Sequence, residues 1–452
     1  MTVLDAHKVY FLGIGGIGMS ALARYFHLKG KEVSGYDRTS SVVTKGLEEL
    51  GITVFYELDP ERILDHEVVI FTPAIKSDNL ERAAVEASDI PMYKRAEVLG
   101  QISQAYRTLA VAGTHGKTTT STMLTHVMRA LGIDVTAFLG GISLNLNSNF
   151  VYGESDWLVV EADEYDRSFL HLHPEWAIIT SLDPDHLDIY GSEEEMRKTY
   201  KAFARQAKHL LVHETVARND WDLKSKVYGT HGDFTLSQLI FEGLQTQFHY
   251  QGERVETAVT LPMPGRHNVA NMTAALALVE SVSPESMKDF SEAVAAFQGI
   301  YRRFQVHFHS ESLTYIDDYA HHPSEIEAAI DTGRRLFPQR KLVVVFQPHL
   351  FSRTQDFMEG FGQELSKADV VVLADIYPAR EKPIEGVTSK ALASRISTDV
   401  HWVGDKTNIV GKLPDIVEPP TLLLTLGAGD IDKEVPKVMA WVKSHTQNVE
   451  LS

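Results

Sequence analysis

The residues best suited to chemistry form one short segment, Gly113-Thr114-His115-Gly116-Lys117-Thr118-Thr119. The apolar run 108–112 predicts a buried strand before it, and residues 119–129 predict a helix after it that ends near Gly132. A glycine turn between a strand and a helix presents backbone N–H groups to an anion. Lys117 and Thr118 add an ammonium for the outer phosphates and a hydroxyl for Mg²⁺. The segment therefore predicts a P-loop that binds ATP, with a chance glycine turn as the alternative.

A second glycine run lies near the N-terminus, Gly13-Ile14-Gly15-Gly16-Ile17-Gly18. It follows the predicted strand 9–12 and opens a predicted helix, and Asp37 ends the next strand, which together satisfy the dinucleotide fingerprint. Taken alone, this run suggests a nicotinamide dehydrogenase. The first α/β series ends near residue 96, however, and is roughly half of a dinucleotide fold. A glycine turn at a helix N-terminus serves a nucleotide-sugar diphosphate equally well.

Two candidate metal ligands follow apolar strands of the central region. Glu161 ends the run 157–160, which places its carboxylate at the sheet edge beside the P-loop, where it can hold Mg²⁺ opposite Thr118. His186 follows the run 177–180 and is a candidate second ligand. The alternatives are a surface acid at a strand end and a histidine that is simply hydrogen-bonded in place.

Further polar residues lie at predicted element ends. Asn268 and Asn271 are three apart at the start of an alanine-rich helix, where their amides can contact a purine edge, although an asparagine N-cap at Asn268 is the alternative. The segments 317–323 and 346–353 follow strands, at the edge where ligand-directed groups gather in open α/β sheets. The adjacent histidines His321 and His322 lack a usual metal-ligand spacing.

Composition limits the class of protein. The 452 residues carry a net charge of −18 and contain no cysteine, which argues against a nucleic-acid partner and excludes disulfides and thiolate metal sites. No apolar run approaches the roughly 18 residues of a membrane span. We expect a cytoplasmic protein with no membrane partner.

The alternation of strands and helices predicts an α/β protein of three domains, 1–96, 97–299 and 300–452. The first and third are expected to be Rossmann-like. The central one is expected to combine a parallel sheet with a small antiparallel insertion over 227–261. A linker is expected around Ala96.

These motifs, taken in order, resemble those of the ATP-dependent Mur ligases of peptidoglycan synthesis. The resemblance covers nearly the whole chain, at residues 13–22, 113–118, 161–164, 185–188, 265–271, 317–323, 347–349 and 378–383. No single motif is decisive, but their joint order is highly specific.

The resemblance implies that the first domain binds a UDP-sugar, the second binds ATP, and the third closes over both. The implied reaction uses ATP to activate the muramyl carboxylate of UDP-N-acetylmuramate as an acyl phosphate, which L-alanine then converts to an amide with release of ADP and phosphate. A recycling ligase that adds a murein tripeptide is the nearest rival, and residues 347–353 favour alanine. The oligomeric state, monomer or homodimer, is left open.

The resemblance also implies roles for individual residues. Nucleotide contacts fall to the P-loop residues 113–119 and to Asn268, Asn271, Arg302 and Asp318, with Lys117 on the β- and γ-phosphates. Up to two Mg²⁺ ions would be held by Thr118, Glu161 and His186. The UDP-sugar would meet Gly15, Gly16, Gly18, Asp37, Thr72, Pro73 and Ala74. L-alanine would meet Tyr319, His349 and Arg353, with the manner of holding its carboxylate left open by Leu350.

Overall fold

The computed structural model describes residues 2–72, 75–184, 187–218, 221–284, 290–379 and 381–450, and the side chains of 187–188 and 446–450 lie outside the description. The chain divides into two compact units, Met1–Gln298 and Gly299–Ser452. Unit 1 contains two sheets and unit 2 contains one. The predicted α/β class, with a sheet for each of the three expected α/β series, is confirmed.

The first sheet of unit 1 has five parallel strands in the order β3-β2-β1-β4-β5. The order reverses at β1, so the loops after β1 and β4 meet at the carboxyl edge, where such sheets bind ligands. Its elements are β1 Lys8–Leu12, α1 Ile17–Leu28, β2 Glu32–Tyr36, α2 Val42–Glu48, β3 Thr53–Phe55, α3 Pro60–Ile63, β4 Val68–Phe71, α4 Leu80–Glu86, β5 Met92–Lys94 and α5 Arg95–Gln104.

The second sheet of unit 1 has ten strands in the order β15-β14-β13-β12-β11-β10-β6-β9-β7-β8. Its central strands are parallel, because helices cross over between them. The elements are β6 Arg107–Ala112, α6 Lys117–Ala130, β7 Thr136–Ser143, β8 Ser148–Val151, β9 Trp157–Glu161, β10 Trp176–Ile179, α7 Leu187–Tyr190, α8 Glu193–Ala204, β11 His209–His213, α9 Glu214–Arg218, β12 Lys226–Gly229, β13 Phe234–Glu242, β14 Gln245–Gln251, β15 Glu256–Leu261, α10 Arg266–Val282 and α11 Phe290–Ala295.

Two regions test the sequence-based expectations directly. The antiparallel insertion is present as β13, β14 and β15, and it continues the ten-stranded sheet. The linker expected around Ala96 is wrong, because this residue lies inside helix α5. The backbone of Lys94 donates to the Glu97 carboxylate (2.6 Å) at the start of that helix, a capping contact that fixes the helix start.

Unit 2 contains a six-stranded sheet in the order β16-β17-β21-β18-β19-β20, parallel except for β16 at one edge. Apolar side chains on both faces of the sheet form its core. The elements are β16 Gln305–His309, β17 Leu313–Asp318, α12 Pro323–Leu336, β18 Lys341–Phe346, α13 Phe351–Asp356, α14 Met358–Leu365, β19 Val370–Ala374, α15 Ser389–Ala393, β20 Asp399–Gly404, α16 Ile409–Lys412, β21 Thr421–Leu426 and α17 Val435–Glu450.

Within the described ranges, no helix is long and apolar enough to cross a membrane.

An aromatic cluster in unit 1 supports the chain that leaves strand β9. Phe169 stacks on Phe203 of helix α8 with ring centroids 4.7 Å apart, and Tyr200 meets Phe169 edge to face at 5.1 Å. All three side chains are fully buried. Because Phe169 lies just after the acidic residues 161–166, this packing fixes where those acids emerge from the sheet.

We expect Phe203→Ala to lower the free energy of unfolding of unit 1 by about 3–5 kcal/mol, because it leaves a cavity under Phe169. Denaturant titration followed by circular dichroism measures the change. Tyr165→Ala removes a ring of the same segment that is 48% exposed, and should change stability by less than about 0.5 kcal/mol. Equal losses in the two variants would contradict the packing role.

Candidate active site

The predicted P-loop has the expected strand, turn and helix. Strand β6 ends at Ala112, Gly113 and Gly116 have φ angles of +133° and +80°, and helix α6 starts at Lys117. Strand β6 lies between β10 and β9. The turn therefore sits at the middle of the carboxyl edge, with the N-terminus of α6 directed at it, an arrangement that favours anions.

The end of strand β10 braces this turn. A Cβ on Gly113 would overlap the Thr180 hydroxyl and lie 2.9 Å from the Thr180 backbone nitrogen. The Ser181 hydroxyl accepts a hydrogen bond from the His115 N–H (2.8 Å), and the Thr114 N–H donates to the Ser181 carbonyl (3.2 Å). No such role was predicted for Thr180 and Ser181, although their position after a buried strand at the same edge was a usable signal.

The Lys117 ammonium points into the loop. It donates to the carbonyl oxygens of Gly113 (2.7 Å) and Thr114 (3.3 Å) and to Glu164 Oε1 (2.8 Å). Burial alone would lower the pKa of Lys117, but Glu164 outweighs burial and raises it. Burial raises the pKa of Glu164 while Lys117 opposes that change. At 2.8 Å the two opposite charges stabilise each other, which favours the ionised form of the pair.

Glu161 lies at the predicted position, at the end of β9 and beside the loop. Its carboxylate accepts from the Gly140 N–H of strand β7 (3.1 Å), and a Cβ on Gly140 would overlap that carboxylate. Thr118 lies in the first turn of α6 and is nearly buried. The hydroxyl and carboxylate oxygens are donors that suit Mg²⁺.

The third predicted metal ligand, His186, lies outside the described residues. Among the residues that are described, no group of three or more His, Asp or Glu side chains converges as a metal site. The fit to Mg²⁺ therefore rests on the chemistry of Thr118 and Glu161 alone.

The two predicted adenine contacts lie in the first turns of helix α10. Asn271 borders the P-loop, because a Cβ on Gly116 would lie 2.7 Å from its amide oxygen. The Asn268 amide donates to the Pro264 carbonyl (2.7 Å) and is buried. Gly265, not Asn268, is the N-cap of the helix. The alternative of an asparagine N-cap is therefore wrong.

The N-terminal glycine run forms a turn after strand β1. Gly13 has a φ of +83°, and a Cβ there would lie 2.9 Å from the Thr72 side chain. The Gly15 N–H donates to the Asp37 carboxylate at 2.8 Å. The predicted residues Pro73 and Ala74 lie outside the described residues. Asp37 thus holds the turn itself, in addition to any part it plays in ligand binding.

Arg95 connects the N-terminal turn with the acidic residues near the P-loop. Its guanidinium packs on Gly18, where a Cβ would come within 2.9 Å of Cδ and Nη1. Its Nη2 lies 3.5 Å from the Asp163 carboxylate. Asn149, from strand β8, adds a second link by donating to the Ile17 carbonyl (2.8 Å). Arg95 therefore links the N-terminal glycine turn to the acidic segment beside the P-loop. It was not among the predicted site residues, because a linker was expected there.

In unit 2, Arg302 is 4% exposed and is bound internally. Its guanidinium pairs with Asp317 (2.8 Å) and donates to the carbonyls of Gly427 (2.6 Å) and Gly429 (3.4 Å). The Asp318 carboxylate accepts from the backbone N–H groups of Phe304 (2.5 Å) and Ala320 (2.7 Å). Arg302 thus ties the start of unit 2 to the carboxyl ends of β17 and β21, and its contact with a nucleotide stays a prediction.

The residues expected on the amino-acid side lie together in unit 2. Tyr319 meets His321 edge to face at 5.3 Å, His321 meets His349 at 6.2 Å, and His349 stacks on Tyr377 at 5.7 Å. Burial and the nearby Arg353 lower the pKa of His349 to about 4. Burial also lowers the pKa of His321 to about 4, although the charge of Glu325 acts to raise it. Both imidazoles are therefore neutral near pH 7.

We expect Gly113→Ala to abolish binding of ATP, because the new side chain would overlap Thr180 at a φ of +133°. Equilibrium titration with ATP measures the loss. The control is Gly132→Ala at the far end of α6, where φ is +76° but nothing lies within 4 Å of the added Cβ. The control should lose about 1 kcal/mol of stability and keep ATP affinity. Normal ATP binding by Gly113→Ala would exclude this loop as the site.

We expect unit 2 to lose stability as the pH falls from about 6.5 to about 4. Over that range the unfolded chain protonates His321 and His349, whereas the folded unit does so only near pH 4. The stability is fully present above pH 6.5. Burial raises the pKa of the Asp318 carboxyl to about 6, which acts in the opposite direction and makes a comparison of variants necessary.

His321→Gln should flatten the loss, whereas His401→Gln on the surface strand β20 should not. Denaturation midpoints between pH 7 and pH 4 give the comparison. An unchanged pH slope in His321→Gln would show that His321 titrates normally in the folded unit.

The chain matches three family models in succession. They are the Mur ligase family, catalytic domain, over residues 8–107, the Mur ligase middle domain over residues 111–279, and the Mur ligase, glutamate ligase domain, over residues 302–429.

Full-length proteins are similar over nearly the whole chain. A UDP-N-acetylmuramate–L-alanine ligase of Flavobacterium johnsoniae is 41% identical, over 97% of this chain and 98% of the relative. The crystal structure of a UDP-N-acetylmuramate-alanine ligase of Thermotoga maritima is similar with a TM-score of 0.82 and 28% identity, over 98% of this chain and 99% of that chain.

A murein peptide ligase of Psychrobacter arcticus shares the fold with a TM-score of 0.72 and 22% identity, over 96% of this chain and 98% of that chain. The family models together cover most of the chain, in the order in which its sheets and loops occur. This chain belongs to the Mur ligase family.

Proposed function

We propose that this protein is an ATP-dependent ligase that joins UDP-N-acetylmuramate to L-alanine during peptidoglycan precursor synthesis. The observation that carries the proposal is the link through Arg95 between the N-terminal glycine turn and the acidic segment beside the P-loop. A sugar diphosphate on the first turn and a nucleoside triphosphate on the second can then meet at one place. The relative from Flavobacterium johnsoniae has a name that specifies this acceptor.

The chemistry begins with the muramyl carboxylate. Its oxygen attacks the γ-phosphorus of ATP, the bond to the β-phosphate oxygen breaks, and ADP leaves with that electron pair. The acyl phosphate is then attacked by the amine of L-alanine, which loses a proton as phosphate departs and the amide forms. In this scheme Lys117 and the N-terminus of α6 balance the charge on the transferring phosphoryl group by position and electrostatics.

The proposed ligands of Mg²⁺ are Thr118, Glu161 and His186, and at most two ions bind. Bound Mg²⁺ neutralises phosphate charge and orients the phosphate oxygens. Asn271 lies against the P-loop at Gly116, which supports a contact of its amide with the nucleotide. Asp37, Thr72 and the glycine turn at 13–18 are proposed for the UDP-sugar.

For L-alanine we propose the cluster of Tyr319, His349 and Arg353. A guanidinium suits the carboxylate of the amino acid, and the neutral imidazole of His349 can accept a hydrogen bond from its amino group. The partners are then small molecules, and we place the reaction in the cytoplasm, where ATP is available. The contacts of Arg302 and Asp318 with the nucleotide stay a prediction, because both side chains already form hydrogen bonds within unit 2.

Two rival functions differ in what they require. The nearer rival is a ligase for a murein tripeptide, and only the acceptor separates it from our proposal. A murein peptide ligase of Psychrobacter arcticus shares the fold. A dehydrogenase would rest on the N-terminal glycine run alone, whereas the matched Mur ligase family models cover most of the chain. We therefore set the dehydrogenase aside.

We expect ADP release by the purified protein with Mg²⁺, ATP and UDP-N-acetylmuramate to depend on added L-alanine. Lys117→Ala should lower the rate about 100-fold or more, because a charge-stabilising group is lost. The matched control is Lys198→Ala, on the surface of helix α8 and paired with Glu195, which should leave the rate unchanged. Release that requires the tripeptide instead would assign the rival ligase, and no release in either mixture would reject the proposal.

A further inference from the structure

The ammonium of Lys117 has a partner that the proposed reaction does not use. Glu164 Oε1 lies 2.8 Å from Lys117 Nζ, and the Glu164 side chain is 2% exposed. The other acceptors of the ammonium are carbonyl oxygens of the loop itself, at Gly113 (2.7 Å) and Thr114 (3.3 Å). The donors of Lys117 are thus directed inward, away from the open side of the turn.

Glu164 is anchored through its backbone. Its carbonyl accepts from the buried Tyr190 hydroxyl (2.6 Å) and from the Arg167 N–H (3.0 Å). Helix α7 and the turn after Glu164 therefore fix where the backbone of Glu164 lies, and the side chain is almost fully buried. If the ammonium moves outward towards a ligand while the backbone of Glu164 stays in place, its contact with the carboxylate lengthens.

We propose that Glu164 is a positioning residue that competes with the outer phosphates of the nucleotide for the Lys117 ammonium. The inference rests on the proposed function, in which Lys117 contacts the β- and γ-phosphates. Each phosphate contact with Lys117 then replaces part of a buried, charge-assisted contact with Glu164. The carboxylate also repels the incoming phosphate charge at short range, where screening by water is weak.

The sign of the effect follows from this competition. Replacing Glu164 by neutral glutamine removes both the competing charge and the repulsion, so nucleotides with β- or γ-phosphates should bind more tightly. The loss of one charge-assisted contact corresponds to roughly tenfold in affinity. AMP lacks the phosphates that Lys117 reaches, so its affinity should stay unchanged. A purely structural role for Glu164 would affect all three nucleotides alike.

The test is calorimetric titration of the full-length protein with ATP, ADP and AMP in the presence of Mg²⁺. We expect Glu164→Gln to bind ATP and ADP about tenfold more tightly than the parent protein, with AMP unchanged. Glu164→Asp keeps the charge but shortens the reach, and should give a smaller gain. The matched control is Asp166→Asn, which removes an acid of the same turn that pairs with Lys94 (3.6 Å), and should change none of the affinities.

Each outcome has a distinct meaning. Unchanged or weaker binding of ATP by Glu164→Gln, with AMP affinity intact, would overturn the competition. If glutamine prevents folding, as judged by circular dichroism, Glu164→Asp decides: a gain for ATP and ADP over AMP supports the inference, and its absence rejects it. Failure of the parent protein to bind any adenine nucleotide would instead reject the proposed function.

Discussion

The parallel pairing of β9, β6 and β10 is the constraint on which the site depends. The register aligns Val111 of β6 with Glu161 of β9, and Ala112 of β6 with Ile179 of β10. The three strands therefore end at one level, which brings together the groups at their carboxyl ends: a glycine turn, a carboxylate and a pair of hydroxyls. A slip of one residue would turn every side chain of the strand to the other face and separate these groups.

Much of this arrangement could be predicted from the sequence. Strands β6, β9 and β10 are short runs of buried, mostly apolar residues, and the glycines at 113 and 116 permit the positive φ angles of the turn. Local pattern is sufficient there, because parallel strands buried on both faces are apolar throughout. The alternation of polar and apolar residues that predicts the antiparallel insertion lies in β14 and β15.

Other features could not be predicted, because they depend on contacts between distant parts of the chain. Arg95 packs on Gly18 and faces Asp163, and both residues are far from it in the sequence, so nothing in the local sequence marks such a pairing. Arg302 follows a predicted domain boundary and was expected to face a ligand, yet its charge is compensated inside unit 2. Burial of an arginine among carbonyl oxygens is a tertiary property that its sequence neighbours do not encode.

The position of Arg95 also decides where this protein can be recombined with its relatives. It is the first residue of helix α5, and its guanidinium occupies the space that any side chain at position 18 would need. A chimera joined at residue 96 would keep Arg95 with Gly18, but it would divide the helix that positions Arg95. A junction after Gln104, where α5 ends, transfers the N-terminal sheet together with the whole helix whose first residue connects that sheet to the P-loop region.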